Sequence, residues 1–168
     1  ALALAMAEYH LGYLPETVLD VGCGEGPWRH ELLKLAPEIE YMGLDSSEYV
    51  VERYGQERNI HCVSFEQLAD LQLEQKVDLL ICSDVMHYVA EQELLNGLAG
   101  FSQLCDGLAW LEVFCSEDAV EGDHAGFYQR SADWYRTHFK RAGFLECGSY
   151  CYLSAQRKDD AMALEINQ

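Results

Sequence analysis

Short apolar runs alternate with longer stretches of helical periodicity along the whole chain. Residues 2–11 (LALAMAEYHL) are rich in Ala and Leu and predict a helix that ends at Gly12 and Pro15. Thr17–Asp20 (TVLD) predicts a short strand that runs directly into a cluster of glycines. Pro27 suits the first turn of the next helix, where its missing N–H is no loss, and that helix stops before Pro37. Glu40–Asp45 predicts a second strand; Ser46 and Ser47 offer an N-cap for SEYVVERYG, which Gly55 should close. Asn59–Val63 predicts a third strand, FEQLADL a short helix, and Val77–Ser83 a fourth strand, apolar on both faces. An amphipathic helix over Glu91–Cys105 and a fifth strand over Leu108–Cys115 follow. After a loop from Ser116 to Arg130, Ser131 caps ADWYRTHFKRA, which ends at Gly143. FLEC and YCYLSAQR then predict a hairpin, with Gly148 as the first central residue of a type II′ turn. The tail from Lys158 reads as frayed or weakly helical.

Strands alternating with helices imply an α/β fold whose parallel sheet is covered on both faces. The closing hairpin adds one antiparallel strand to that sheet. Ligands in such sheets bind beyond the carboxyl ends of the strands. At 168 residues, with 49% hydrophobic and 24% charged residues, the chain reads as a single domain with one sizeable core and not as a disordered segment. No charge-free apolar run is long enough to span a bilayer. The opening ALALAMA lacks a basic stretch and soon meets Glu8 and His10, so it is not read as a signal peptide.

The net charge of −18 repels phosphate backbones and anionic membrane surfaces. A nucleic-acid or membrane partner is therefore not expected, and a small-molecule substrate is. Seven cysteines, mostly inside apolar runs and without a CxxC pair, fit buried reduced thiols and a cytoplasmic setting. No third ligand accompanies Asp84 and His87 at a diagnostic spacing, so no metal site is expected. Oligomeric state is not readable.

The strongest signal is Val18-Leu19-Asp20-Val21-Gly22-Cys23-Gly24-Glu25-Gly26, a strand entering a three-glycine turn that opens a helix. Glycines let a backbone approach a ligand closely. Asp20 stands before the first of them, and Asp45 ends the next strand, where a carboxylate can accept both hydroxyls of a ribose. A nicotinamide-dependent oxidoreductase would also need such a turn. Its fingerprint is GxGxxG, however, and a pyrophosphate would be repelled by Asp20.

VLDVGCGEG followed by YMGLDSS resembles the first motif and its successor in class I S-adenosylmethionine-dependent methyltransferases of small-molecule type. VDLLICSDVMHYV is similar to that family's fourth-strand motif, and SADWYRTHFKRAGF to the helix ending in its common "aGF". The resemblance spans roughly residues 17 to 145 and implies a three-layer Rossmann-like fold. That fold has a mostly parallel seven-stranded sheet with one antiparallel strand, the 1–12 helix at its start and the 116–130 loop on the acceptor side. It implies S-adenosyl-L-methionine as cofactor. Asp20, Gly22, Cys23, Gly24 and Gly26 would line its methionine part, with Ser83 giving a backbone contact. Asp45 would hold the ribose, with Ser46 near the adenine. Phe65 could stack on the adenine ring and Glu66 could meet its amine. Tyr88 would pack on the cofactor.

For catalysis, methyl transfer from a sulfonium is an in-line displacement, and alignment supplies much of its acceleration. A base is needed only where the acceptor must lose a proton. His87 and Asp84, at the end of the fourth strand, are the candidates. In the 116–130 loop, His124, Tyr128 and Arg130 are candidates for acceptor recognition. A cofactor-binding module without turnover, or a protein methyltransferase, would share these motifs. CSDV stands where amino-group methyltransferases carry N/DPPY, which disfavours nucleic-acid base and glutamine-type acceptors and leaves oxygen, carbon, sulfur and other nitrogen acceptors open.

Overall fold

The computed structural model describes residues 1–119 and 126–159. Seven strands form one sheet: β1 (Thr17–Val21), β2 (Glu40–Asp45), β3 (Ile60–Cys62), β4 (Val77–Ser83), β5 (Cys105–Glu112), β6 (Phe144–Gly148) and β7 (Cys151–Ser154). Their spatial order is β3-β2-β1-β4-β5-β7-β6. β1 to β5 pair in parallel, and β7 runs antiparallel to both β5 and β6. The chain thus leaves from β1 first toward β3, then returns to β4, which places the switch point of the topology between β1 and β4.

Helices cover both faces because the inner strands bury alternate side chains in two separate cores. Leu19 and Val21 of β1, Leu80 and Cys82 of β4 and Ala109 and Leu111 of β5 face one core, with α4 (Glu91–Leu104) and α5 (Ala132–Arg141). Val18, Leu79, Ile81, Leu108 and Trp110 face the other, with α1 (Leu2–Leu11) and α2 (Pro27–Leu35). α3 (Glu48–Arg58) lies outside both and buries no residue fully. No helix among the described residues is long and apolar enough to cross a membrane. Cys62 is the exposed thiol; the other six are buried or half-buried.

Several boundaries differ from the sequence expectation. α3 runs through Gly55 and ends at Asn59, whose φ of 53° makes it the left-handed cap. Gly55 serves another purpose: a Cβ there would sit 2.9 Å from the Ile60 carbonyl oxygen. α4 passes into β5 with no loop, so β5 spans Cys105–Glu112 and both starts and stops earlier than the apolar run LAWLEVFC suggests. FEQLA forms a 3-10 turn (Phe65–Ala69) with a Ser64–Gln67 capping box. The hairpin turn is Ser149-Tyr150, with Tyr150 left-handed at φ 59° and Gly148 still paired to Cys151. The expected type II′ turn with Gly148 at its first central position is therefore not formed; Tyr150 accepts the strained conformation while its ring packs 5.4 Å from Trp110.

Candidate active site

At the carboxyl end of β1 the chain turns sharply into α2. Gly22 (φ 70°) faces the Val85 side chain so closely that a Cβ would run into it. The N–H groups of Gly22 and Cys23 both donate to the Leu44 carbonyl, at 2.7 and 3.0 Å, pinning the turn against β2. Gly26, also left-handed (φ 80°), is the N-cap of α2, with Pro27 at its first position.

Two carboxylates flank this turn and differ in their surroundings. Asp45, half-buried, accepts from Gly24 N at 2.8 Å and from Ser47 N at 2.9 Å, one bond to each oxygen. A carboxylate oxygen has two lone-pair sites, so each retains one; Asp45 itself stands outside the cleft lining, one bond behind Gly24. Asp20 is only 1% exposed, and the Tyr41 hydroxyl donates to it at 2.7 Å. Burial raises its carboxyl to about 7, with a contribution from the nearby charge of Asp45 and against the Tyr41 bond. A cation lodged beside it would hold it ionised.

Between this turn and the end of β4 lies a cleft of about 750 Å³, well sized for a nucleoside cofactor. It brings together Asp20, Gly22, Cys23, Gly24, Gly26, Ser83 and Asp84 of the sequence-derived candidates, and adds Arg29, Glu57 and Arg58. Cys23 is buried and its thiol is pushed up to about 12, chiefly by that burial. Asp84 has a left-handed backbone (φ 59°), a conformation that Asp tolerates better than most residues other than glycine. Burial and the neighbouring Glu112 charge raise its carboxyl.

The remaining candidates lie elsewhere. Ser46 and Glu66 are exposed outside the cleft lining. Phe65 is buried against Phe101, with ring centroids 5.8 Å apart, and is wedged over Gly97 of α4. His87 is 1% exposed and walled by Tyr88, Phe114 and Phe127. Its Nδ1 accepts from Phe114 N at 3.5 Å, and burial lowers its pKa, which keeps it neutral. Tyr88 is exposed and stands edge-on to Phe127. Tyr128 is exposed, and its N–H donates to the His87 carbonyl at 2.8 Å. Arg130 is buried, donating to the carbonyls of Met86 (3.2 Å) and Val89 (2.7 Å) and to the Tyr135 hydroxyl (3.3 Å). It thereby straps the 3-10 turn that carries His87. His124 lies outside the described residues.

Two participants were missed from the sequence. Arg58 donates to the Glu25 carbonyl at 2.5 Å across the glycine turn, its guanidinium 4.1 Å from the Tyr54 ring centroid. At the end of a helix an arginine reads only as a partner for the helix dipole. Glu112 accepts from Ser83 Oγ (2.8 Å) and Trp110 Nε1 (3.2 Å) at the end of β5. An acid closing an apolar strand, as Asp20 and Asp45 do, was the available signal. Among the described residues no group of three or more His, Cys, Asp or Glu is placed to hold a metal ion.

The strand order, the glycine turn and the carboxylates at the ends of β1 and β2 define the Rossmann-like fold of class I methyltransferases. A family model described as a methyltransferase domain matches residues 19–106, and the chain belongs to that family. Similar solved structures include a sugar N-methyltransferase from a Streptoalloteichus species, with 17% identity and a TM-score of 0.65 over 85% of this chain and 77% of that one. Another is the O-methyltransferase of a trans-AT PKS multienzyme from Brevibacillus brevis, in complex with S-adenosyl-L-homocysteine. It shares 12% identity, with a TM-score of 0.62 over 86% of this chain and 52% of that one. A SAM-dependent methyltransferase from Archaeoglobus fulgidus shares 18% identity, with a TM-score of 0.62 over 86% and 69%. The chain thus spans about half the length of the Brevibacillus enzyme. No match to a curated protein sequence is found.

Proposed function

We propose that this chain is an S-adenosylmethionine-dependent methyltransferase acting on a small-molecule acceptor. The observation that carries the reading is the cleft at the topological switch point, lined by the glycine turn and the buried Asp20, with Asp45 held directly behind that lining by its bond from Gly24 N. When bound, the cofactor supplies an electrophilic methyl on a sulfonium.

The chain's own residues then have distinct work. Asp45, already fixed by Gly24 N and Ser47 N, accepts the ribose hydroxyls with its remaining lone pairs. Asp20 lies toward the amino-acid part and attracts its ammonium group. Gly24, with open space on its Cβ side, lets the backbone come within contact distance, while Gly22 makes room for Val85. Ser83 and Asp84 border the methyl end, and alignment of the acceptor there supplies most of the acceleration. Of the two titratable groups after β4, Asp84 is the one that lines the cleft, so it takes the proton where the acceptor must lose one. The sealed ring of His87 supports the acceptor side. The charge of −18 favours a small molecule over nucleic acid, and seven thiols without a disulfide accord with the cytoplasm.

Calorimetric titration tests the reading. S-adenosylmethionine and S-adenosylhomocysteine should bind and NAD should not. Binding of NAD alone would overturn it. Release of S-adenosylhomocysteine in the presence of an acceptor separates an enzyme from a binding module without turnover.

A further inference from the structure

Beyond the cleft, the residues that follow β4 and β5 gather five aromatic rings. His87 is the floor: its ring centroid is 4.4 Å from Tyr88, 4.4 Å from Phe127 and 5.2 Å from Phe114. Tyr88 meets Phe127 edge-on at 4.8 Å, and Phe114 lies nearly parallel to Phe127, 13° apart in plane at 6.2 Å. Tyr128 follows on, tied through its N–H to the His87 carbonyl. A hydrophobic cluster of this size ordinarily hides its rings. Here Tyr88, Phe114 and Tyr128 are 54%, 38% and 46% exposed. The cluster begins three residues after Asp84 and two after Val85, both of which line the cleft.

The charges around it are one-sided. Arg130, 5.0 Å from the Tyr128 ring centroid, is a cation beside the cluster, but its guanidinium is committed to the Met86 and Val89 carbonyls. Asp84 and Glu112 stand at the ends of the two strands that lead into it, and Glu117 and Asp118 follow Phe114 by a few residues. The faces of exposed aromatic rings are themselves electronegative. Among the described residues, carboxylates thus outnumber the one buried cation, and an anionic ligand is the least favoured here.

Resting on the methyltransferase reading, we propose that Tyr88, Phe114, Phe127 and Tyr128 form the acceptor platform, and that the acceptor is a planar aromatic compound, neutral or cationic. Stacking on Phe114 and Tyr128 orients its plane, and the His87 floor fixes the height of the rings above the turn that follows Asp84.

Aromatic-region NMR on protein carrying labelled Phe and Tyr tests this without a variant, using tryptamine, indole-3-acetate and 2-cyclohexylethylamine as probes, each with S-adenosylhomocysteine present. Tryptamine should shift the resonances of Phe114, Phe127 and Tyr128. Indole-3-acetate and the saturated amine should each bind at least about tenfold more weakly. Phe114→Ala, checked for folding by its S-adenosylhomocysteine affinity, should weaken tryptamine by a similar factor. Absence of ring shifts with tryptamine, equal binding of the saturated amine, or tighter binding of indole-3-acetate overturns the platform. Failure of S-adenosylhomocysteine to bind overturns the cofactor reading instead, so the two are told apart in one sample.

Discussion

At the scale of single residues, the site depends on two acids whose environments differ. On the proposed reading, Asp45→Ala removes a charged acceptor of two ribose hydroxyls and should weaken S-adenosylhomocysteine by roughly 2–4 kcal/mol, from ~1.5–3 kcal/mol per charged bond with allowance for non-additivity. The calorimetric dissociation constant checks this, and an unchanged value in a folded variant would take Asp45 out of the site. Asp20 brings a pH dependence. Its carboxyl titrates near 7 when folded and at the ordinary carboxylate value when unfolded. Between those two values the folded chain holds a proton that the unfolded chain has lost, so Asp20 costs stability as pH rises through that window. Ligand binding has the opposite demand, because an ammonium pairs only with the ionised form. Cofactor affinity should therefore fall as pH drops below about 7. Asp20→Asn should bind more weakly, lose that pH dependence and melt higher than wild type at pH 8. If wild type and variant show the same affinity profile from pH 5.5 to 8.5, Asp20 does not face the cofactor's charge.

The elements show where local signals suffice and where packing decides. The glycine turn and the acids at the ends of the first two strands, Asp20 one residue before the last and Asp45 the last, were legible because a turn's chemistry and a strand's end are written within a few positions. Positions governed by distant contacts were not. Gly55 looks like a stop, yet it is needed under the Ile60 carbonyl, and Asn59 ends the helix instead. Phe65 follows the third strand as an adenine-stacking residue would, but Gly97 on α4 leaves a recess that its ring fills. Arg130 in the late loop reads as a contact to the acceptor, whereas the carbonyls of Met86 and Val89 draw it inside. That strap predicts its own test. Arg130→Leu leaves the Val89 carbonyl without the Arg130 donor and the Met86 carbonyl with only the Val89 N–H, and should cost about 1–3 kcal/mol in urea unfolding, at ~1–3 kcal/mol per unsatisfied group. Arg130→Lys, with one point of donation in place of a fork, should recover only part of this. Unfolding midpoints that do not move would show that water takes over the bonds.

For the molecule as a whole, the excess of acid sets its response to solution conditions. A net charge of −18 on 168 residues repels itself, and salt screens that repulsion. The melting temperature should rise between 10 and 300 mM NaCl (~30 Å against ~6 Å screening length); a flat or falling curve would mean that local ion pairs outweigh the global repulsion. Saturation with S-adenosylhomocysteine at about 100 times its dissociation constant should add ~2.7 kcal/mol, or roughly 5–11 °C for a chain of this length. The distribution of thiols offers a way to watch that event directly. Burial raises the thiol pKa of Cys23, Cys82, Cys105, Cys115, Cys147 and Cys151, so each is a poor nucleophile in the folded chain. Cys62 is exposed at the end of β3, in register with Asp45 on β2. A maleimide dye should therefore label one position quickly and leave six until the chain opens. The dye would sit one strand away from the ribose carboxylate, turning the native chain into its own fluorescent gauge of cofactor occupancy.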